Sequence, residues 1–329
     1  MTTSTPPPSP AGPFAASRPL PGPTDPAPAP APTDPAPAPT TGGRSLVLGG
    51  GGSTGNAWLI GVVAGLADAE VDVTADLTVG TSAGSTAAAQ LAGVTAAELY
   101  AAALVPPPVR TAGPGRADDR TRQAAEQMAR TAALVVGARD AADMRRRIGA
   151  AALALPASSD ESARARWRAT VAARLPSPSW PQRPVLLTAV DARSGEPVVL
   201  DRHSGVDLVD AVAASCASAF AYRIGDERYV DGGYRRGENA DLAAGSRRVL
   251  VLAPFGGGTR APRAWGLHLA AQVDELRARG SAVEVVVPGA AADHLFGPQA
   301  MDLTLRPEAA RARHARGTAL AERVAAFWN

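Results

Sequence analysis

The sequence contains no lysine, and this absence removes several kinds of chemistry. All 33 basic residues among the 329 residues are arginines. A Walker-type phosphate loop, a Schiff-base enzyme and a Ser-Lys dyad each need the ammonium group of a lysine. None of these three mechanisms is therefore open to this chain.

Cysteine and long apolar runs are also scarce. The single cysteine, Cys216, excludes an intrachain disulfide and a cysteine-rich metal site, and no His and carboxylate cluster has ligand spacing, so we predict no metal and no cofactor. The longest apolar stretch, residues 57–67, is about half of the ~20 residues that span a bilayer. The first ten residues lack the basic start and apolar run of a secretory signal. We therefore expect a cytoplasmic protein without a transmembrane helix.

The charge pattern gives little sign of a polyanionic partner. The formal net charge is +2, and acidic and basic residues are interspersed, so nucleic-acid binding is not predicted. Two arginine groups are candidates for peripheral contact with anionic lipid headgroups: Arg145, Arg146 and Arg147, and Arg164, Arg166 and Arg168. Acidic residues lie close to both groups, which favours a solvated helix face instead.

The distribution of proline divides the chain into two regions of different composition. Of 30 prolines, 15 precede Thr40, in a region that is otherwise mostly Ala, Thr and Ser. Such a segment has too little apolar surface to offset the entropy of ordering it. We predict a disordered arm over residues 1–43 and a folded domain over residues 44–329.

From Arg44 onward, short apolar runs alternate with Ala-rich helical stretches. This order predicts an α/β domain with a mostly parallel central sheet flanked by helices. The predicted helices cover residues 57–69, a stretch from Ala83, residues 117–155, 159–175 and 307–328. The predicted strands cover residues 46–48, 77–79, 184–190, 197–200, 228–230, 248–252 and 283–287.

A glycine-rich loop follows the first predicted strand. Gly50, Gly52 and Gly55 fit G-x-G-x-x-G, which is typical of dinucleotide binding, but the second strand ends without the carboxylate that would hold a ribose. The amides of such a loop can equally stabilise the oxyanion of an acyl-transfer intermediate. That alternative requires a nucleophile.

The second strand leads into Gly80-Thr81-Ser82-Ala83-Gly84, a G-x-S-x-G motif between a strand and a helix. This context is the one that a nucleophile elbow requires, so Ser82 is the candidate nucleophile. An N-cap serine in a small-residue turn is the simpler alternative.

Two kinds of base are available to a serine. Asp231 ends a short strand and is followed by Gly232 and Gly233, which places an unobstructed carboxylate at a strand end. Histidine is the other kind, and three of the four histidines follow Asp231, so the chain order of a Ser-His-Asp esterase is also present. The histidines are His203, His268, His294 and His314.

Taken together, the glycine loop, G-x-S-x-G and Asp-Gly-Gly resemble, in that order, the patatin-like phospholipases, which are lipid acyl hydrolases with a Ser-Asp dyad. The resemblance implies Ser82 as the acylated nucleophile and Asp231 as the proton acceptor. It places the oxyanion hole at Gly50, Gly51, Gly52 and Ser53. Supporting roles in the motifs fall to Gly55, Gly80, Gly84, Gly232 and Gly233.

Two positions depart from the pattern of that family. Thr54 stands where relatives usually carry Arg or Lys, and the segment 215–222 lacks a Pro-rich turn. The resemblance implies cleavage of acyl esters in a lipid-like substrate, the expected partner. A Ser-His-Asp esterase, and a non-catalytic lipid- or nucleotide-binding module of the same fold, remain the alternatives.

Overall fold

The computed structural model describes Met1 and residues 42–107 and 116–329, without the side chains of residues 116–125 and 313–318. The predicted arm over residues 1–43 therefore lies almost wholly outside the described residues. Its disorder and its boundary stay predictions.

Eight strands of the described chain form one sheet. They are β1 Arg44–Leu48, β2 Leu77–Gly80, β3 Val185–Asp191, β4 Pro197–Leu200, β5 Tyr222–Ile224, β6 Glu227–Asp231, β7 Arg248–Leu252 and β8 Ala282–Val286. The order β3-β2-β1-β7-β8 is parallel throughout, whereas β4, β5 and β6 run antiparallel to their partners. The predicted α/β class with a mostly parallel sheet is confirmed. The three-residue β5 was not predicted, since so short a run carries no period.

Helices cover both faces of this sheet. They are α1 Gly52–Asp68, α2 Ala83–Leu91, α3 Ala96–Leu104, α4 Arg116–Val136, α5 Ala141–Leu153, α6 Glu161–Ala172, α7 Leu208–Ser215, α8 Leu269–Ala278 and α9 Arg306–Trp328. The predicted stretch 117–155 is two helices, because Asp140 caps a new start by accepting a hydrogen bond from the Asp143 amide at 2.7 Å.

The start of α1 differs from its prediction. Residues 52–56 were expected to lie in the loop, but α1 begins at Gly52. The amide of Gly55 donates to the Gly51 carbonyl at 2.9 Å, which closes the first turn. The second half of the glycine loop is thus the amino-terminal turn of a helix, whose first amides have no partner within the helix.

Successive strand residues point to opposite faces, and each face has its own core. Leu46 and Leu48 pack in a cluster that contains Trp58 of α1 and Trp328 of α9. Val47 packs in a second cluster with residues of α8. This alternation is the two-residue period of a strand, and it makes the domain a three-layer arrangement with the sheet in the middle.

The pairing of β3 places two strand ends side by side. β4 pairs with Leu187–Val190 and occupies one edge of β3. β2 pairs with β3 at Leu187, and β6 pairs with β3 at Ala189. Because β4 already pairs with both of these residues from one side, β2 and β6 must both lie along the other edge of β3. β2 is parallel to β3 and β6 is antiparallel, and their carboxyl ends therefore face each other. Residues that follow Gly80 consequently meet Asp231.

Candidate active site

Ser82 stands in a strained turn between β2 and α2. Its backbone angles are φ 52° and ψ −115°, a region that costs a residue other than glycine about 1–3 kcal/mol. A Cβ atom on Gly80 would lie 2.7 Å from the Cα of Ser85, and one on Gly84 would lie 1.9 Å from the Leu48 carbonyl oxygen. Only glycine fits on either side, so the motif forms the sharp strand-to-helix turn that its sequence predicts.

The Ser82 hydroxyl donates a hydrogen bond to Oδ2 of Asp231 at 2.7 Å. The other carboxylate oxygen, Oδ1, accepts a hydrogen bond from the Gly233 amide at 2.8 Å. Glycine at position 232 lets the backbone after Asp231 pass close to Thr188 of β3, because a Cβ atom there would lie 2.2 Å from Oγ1 of Thr188. The hydroxyl of Ser82 and the carboxylate of Asp231 are thus in direct contact, although the two residues are 149 positions apart in the sequence.

Burial makes Asp231 an unusually basic carboxylate. Its exposed fraction is 7%, and desolvation of the charged form raises its pKa to about 6. The hydrogen bonds from Gly233 and Ser82 favour the ionised form but do not offset the burial. Among the described side chains, no arginine donates a hydrogen bond to this carboxylate. The group can therefore both accept and release a proton near neutral pH.

The end of α7 holds the backbone of Ser82. The Ser82 amide donates to Oγ of Ser215 at 3.0 Å. The Ser82 carbonyl oxygen accepts from the thiol of Cys216 at 3.1 Å and from the hydroxyl of Ser85 at 2.6 Å. Burial raises the pKa of Cys216 to about 11, so its thiol stays protonated and can donate. These bonds hold the strained conformation, and Ser215 is a site residue that the sequence analysis missed.

Asn239 links the two strand ends that carry Ser82 and Asp231. It is fully buried, with a left-handed backbone at φ 56°. Its Nδ2 lies 2.9 Å from Oγ1 of Thr81 and 3.2 Å from the Gly232 carbonyl oxygen. One amide thus links the residue before Ser82 to the residue after Asp231. Nothing local in the sequence marks this asparagine, because its partner at the nucleophile turn, Thr81, lies 158 positions away.

The glycine loop lies beside Ser82. A Cβ atom on Gly50 would lie 3.7 Å from the Cβ of Ser82. The Gly50 amide donates to the Gly237 carbonyl at 3.0 Å, so it is already used. The amides of Gly51, Gly52 and Ser53 have no acceptor among the described residues. Three of the four positions predicted for the oxyanion hole therefore have backbone amides without an acceptor among the described residues. At the fourth, Gly50, the loop backbone passes close to Ser82.

Glycine is required at two further positions of the loop. A Cβ atom on Gly51 would lie 2.6 Å from the Cβ of Pro254. Gly52 has a positive φ of 64°, and a Cβ atom there would lie 2.7 Å from the Ala300 carbonyl oxygen. Larger residues would displace the free amides. The glycines are therefore needed for the geometry of the loop and not only for its length.

The described histidines have other surroundings than this pair. His203 is exposed after β4, Nε2 of His268 lies 3.1 Å from the Ala261 carbonyl oxygen, and Nε2 of His294 lies 2.6 Å from Oε1 of Glu308. The side chain of His314 lies outside the described ones. None of the three described rings hydrogen-bonds to Ser82 or Asp231.

The structure also bears on cofactor sites. The carboxyl end of β2 carries Ser82, whereas Asp76 lies at the opposite end, where its Oδ2 accepts a hydrogen bond from the Arg44 amide at 2.8 Å. The end of β2 that follows the glycine loop therefore carries a serine and no carboxylate that could bind a ribose. Within the described residues, no three His, Cys, Asp or Glu side chains are grouped to hold a metal ion. In the same residues, no helix combines the length and apolar character needed to cross a bilayer.

Comparison with known proteins places the chain in a family. The model of the patatin-like phospholipase family matches residues 46–244. No curated protein matches the chain. Among solved structures, that of the type III effector protein ExoU aligns with 85% of this chain and 54% of its own, at 15% identity and a TM-score of 0.29, so this chain spans about half of its length. Because the family model covers more than half of the sequence and includes both Ser82 and Asp231, the chain belongs to the patatin-like phospholipase family.

Proposed function

We propose that this protein hydrolyses acyl esters of lipid-like substrates with Ser82 as nucleophile and Asp231 as its base. The observation that carries the proposal is the 2.7 Å hydrogen bond between the Ser82 hydroxyl and the buried Asp231 carboxylate. Family membership supports lipid acyl hydrolysis at the level of the family. The contact supports the assignment of the two roles to these two residues.

In the first half of the reaction, Ser82 Oγ attacks the acyl carbonyl carbon while Asp231 Oδ2 accepts the hydroxyl proton. The raised pKa of Asp231 brings it closer to that of the groups with which it exchanges protons. When the tetrahedral intermediate collapses, the protonated Asp231 returns the proton to the departing alcohol oxygen. The product of this half-reaction is an acyl ester of Ser82.

The negative charge of the intermediate falls on the former carbonyl oxygen, and the loop amides are the donors that can receive it. The amides of Gly51, Gly52 and Ser53 follow Gly50, which lies next to Ser82, and have no acceptor among the described residues; Gly52 and Ser53 are in the first turn of α1. Loss of one donor of this kind typically costs about 3–4 kcal/mol of transition-state stabilisation. Since the Gly50 amide is bonded to Gly237, we assign the oxyanion hole to the other three positions.

In the second half, water replaces the alcohol. Asp231 takes a proton from the attacking water, the second tetrahedral intermediate uses the same amides, and Ser82 leaves with that proton while the fatty acid is released. Every proton taken by Asp231 is given back within the cycle, so no external base is consumed.

The expected partner is a lipid, and peripheral membrane contact by the arginine groups finds little support. Arg147 and Arg146 lie within 4 Å of Asp143, Arg164 pairs with Glu161, and Arg168 pairs with Asp210. Side chains that are neutralised within the molecule have less charge to offer a headgroup. Cytoplasmic location stays a prediction.

The test is a panel of p-nitrophenyl esters from acetyl to palmitoyl, combined with a fluorophosphonate probe. We expect wild type to turn over at least one ester and to be labelled at Ser82. Ser82→Ala should lose both properties, whereas Ser179→Ala, an exposed serine, should keep both. A non-catalytic lipid- or nucleotide-binding module would show no labelling of wild type at Ser82.

A histidine-based esterase would give a different result. Joint substitution of His268, His294 and His314 by glutamine should leave turnover within a few fold if Asp231 is the base. A loss as large as that of Ser82→Ala would favour a Ser-His-Asp triad and would remove the dyad.

A further inference from the structure

A cationic side chain from the carboxyl-terminal helix contacts the glycine loop. Arg306, the first residue of α9, donates from Nη1 to the Ser53 carbonyl oxygen at 2.8 Å and to Ser53 Oγ at 3.2 Å. Its Nη2 donates to Oδ1 of Asn56 at 3.2 Å. Among the described side chains, it is the only guanidinium that hydrogen-bonds to residues 49–56. One planar group thus spans the first turn of α1 from Ser53 to Asn56.

The chain just before Arg306 contacts the same turn. The Thr54 amide donates to the Ala300 carbonyl at 3.0 Å, and the Thr54 hydroxyl donates to the Leu295 carbonyl at 2.7 Å. Ala300 also packs against Gly52. The segment from Leu295 to Arg306 therefore anchors three consecutive residues, two of which offer free amides to the oxyanion. The residues that make these contacts with the turn, Leu295, Ala300 and Arg306, lie outside the range that the family model matches.

Thr54 itself contributes no charge to the loop. Its side chain is fully buried against this segment. A basic side chain at this position would have to displace the Leu295 and Ala300 carbonyl groups, both of which accept hydrogen bonds from Thr54. The positive charge beside the loop comes instead from Arg306, which lies 253 positions after Ser53 in the sequence.

We propose that Arg306 is a positioning residue of the hydrolase, which fixes the Ser53 amide toward the oxyanion by holding the carbonyl and hydroxyl groups of the same residue. The inference rests on the proposed function. Hydrogen bonds from a charged donor are shorter and stronger than neutral ones, and the fork of the guanidinium fixes two acceptors in one plane. An arginine stays protonated at every pH at which the dyad works, so the restraint does not titrate.

The mechanism predicts a defect in the rate and not in substrate binding. The amides receive charge only in the transition state, so their misplacement lowers kcat and leaves KM almost unchanged. A displacement of a catalytic group by about 1 Å can lower a rate by about 100-fold. We expect a fall in kcat of about 10- to 100-fold for a variant that lacks the guanidinium.

The experiment compares Arg306→Met with Arg311→Met, an exposed arginine of the same helix. Both are assayed with a short-chain p-nitrophenyl ester, for the rate of Ser82 labelling by a fluorophosphonate and for melting temperature. Arg306→Met should lose about 10- to 100-fold in kcat with KM within twofold, and it should label more slowly because the phosphoryl oxygen uses the same amides. Arg311→Met should match wild type.

Chemical rescue separates positioning from general support of the fold. Arg306→Ala should regain a large part of its kcat when methylguanidinium is added at concentrations that leave wild type unaffected. The pH at half-maximal rate should stay that of wild type, because Asp231 is untouched.

A folded Arg306→Met that keeps kcat within twofold of wild type overturns the inference, as does a loss expressed in KM alone. If Arg306→Met does not fold, Arg306→Gln is judged by the same criteria. Failure of both to fold assigns Arg306 to the stability of the domain and also overturns the inference. An inactive, unlabelled wild type would refute the proposed function itself, which is a distinct result.

Discussion

Replacement of Asp231 by asparagine should stabilise the protein above pH 6 while abolishing its activity. Asparagine has the shape of aspartate, and it can still accept from the Gly233 amide and meet the Ser82 hydroxyl. It removes only the charge that burial disfavours. We therefore expect the free energy of unfolding of Asp231→Asn to exceed that of wild type at neutral pH.

The magnitude follows from the pKa of the carboxyl group. Its pKa in the folded protein is about 6, against an ordinary value of 3.8 for an aspartate in water. Between these values the folded state holds a proton that the unfolded chain has released, so wild type loses stability as the pH rises from about 4 through 6. A difference of about 2 pKa units corresponds to about 3 kcal/mol. This is an upper figure for the gain of the variant between pH 4 and pH 8.

The assay is urea unfolding of both proteins at unit steps from pH 4 to 8. The difference in unfolding free energy between variant and wild type should rise by up to about 3 kcal/mol and level off above pH 6 to 7. Glu238, whose pKa burial raises to about 7, titrates in both proteins and cancels from the difference. A difference that stays flat within about 0.5 kcal/mol would refute the assignment of a raised pKa to Asp231.

The pH dependence of the rate also reports on the Asp231 carboxylate. Only the ionised carboxylate can accept the Ser82 proton, so kcat/KM on a neutral ester should rise with pH through a single step near pH 6. A rate that is constant from pH 4.5 to 7.5 would contradict Asp231 as the base.

Three further predictions concern the surroundings of the dyad, and a fourth concerns the arm. Ser215→Ala removes the acceptor of the Ser82 amide. We expect the free energy of unfolding, measured with urea, to fall by about 1–2 kcal/mol and kcat to fall about tenfold. An unchanged kcat would show that other contacts hold the turn. Gly50→Ala should fold with the melting temperature of wild type, because its new methyl group meets only ordinary contacts, yet turn over esters more slowly, because that methyl lies 3.7 Å from the Cβ of Ser82. Gly84→Ala should not fold, because its methyl would lie 1.9 Å from a backbone oxygen, and a stable Gly84→Ala protein would contradict the turn geometry. Deletion of residues 1–43 should leave melting temperature and ester turnover nearly unchanged, since the arm is too poor in apolar residues to pack a core, and a fall of several degrees would show otherwise.

The parts of the site that the sequence predicts are those with local causes. Ser82 and Asp231 each follow a short β pattern, Ser82 between Gly80 and Gly84 and Asp231 before Gly232 and Gly233. A few neighbouring residues therefore indicate both the strand end and the open turn. Seven of the eight described strands were predicted for the same reason, because their apolar runs are short and most are bounded by glycine or proline. Here a local signal and the tertiary structure agree.

The remainder could not be predicted because its causes are distant in the sequence. Ser215, Asn239 and Arg306 act on residues that lie 133, 158 and 253 positions away. Serine, asparagine and arginine are ordinary surface residues by type. Their partners here come only from the tertiary packing of α7, of the segment between β6 and β7, and of α9. The start of α1 at Gly52 was missed for a related reason, since glycine has a low helix propensity that the contacts of Thr54 with Leu295 and Ala300 override here.

The shared edge of β3 has a consequence for how freely the length of the chain can change. The distance between Ser82 and Asp231 is set by where β2 and β6 pair with β3, at Leu187 and Ala189. The connections that lie between these strands along the chain do not enter that distance. Exposed positions in them, such as the turn at Gly205, can gain or lose residues without moving the two groups apart. A slip of one residue by β6 along β3, in contrast, would shift the carboxylate by about 3.4 Å and turn it to the opposite face.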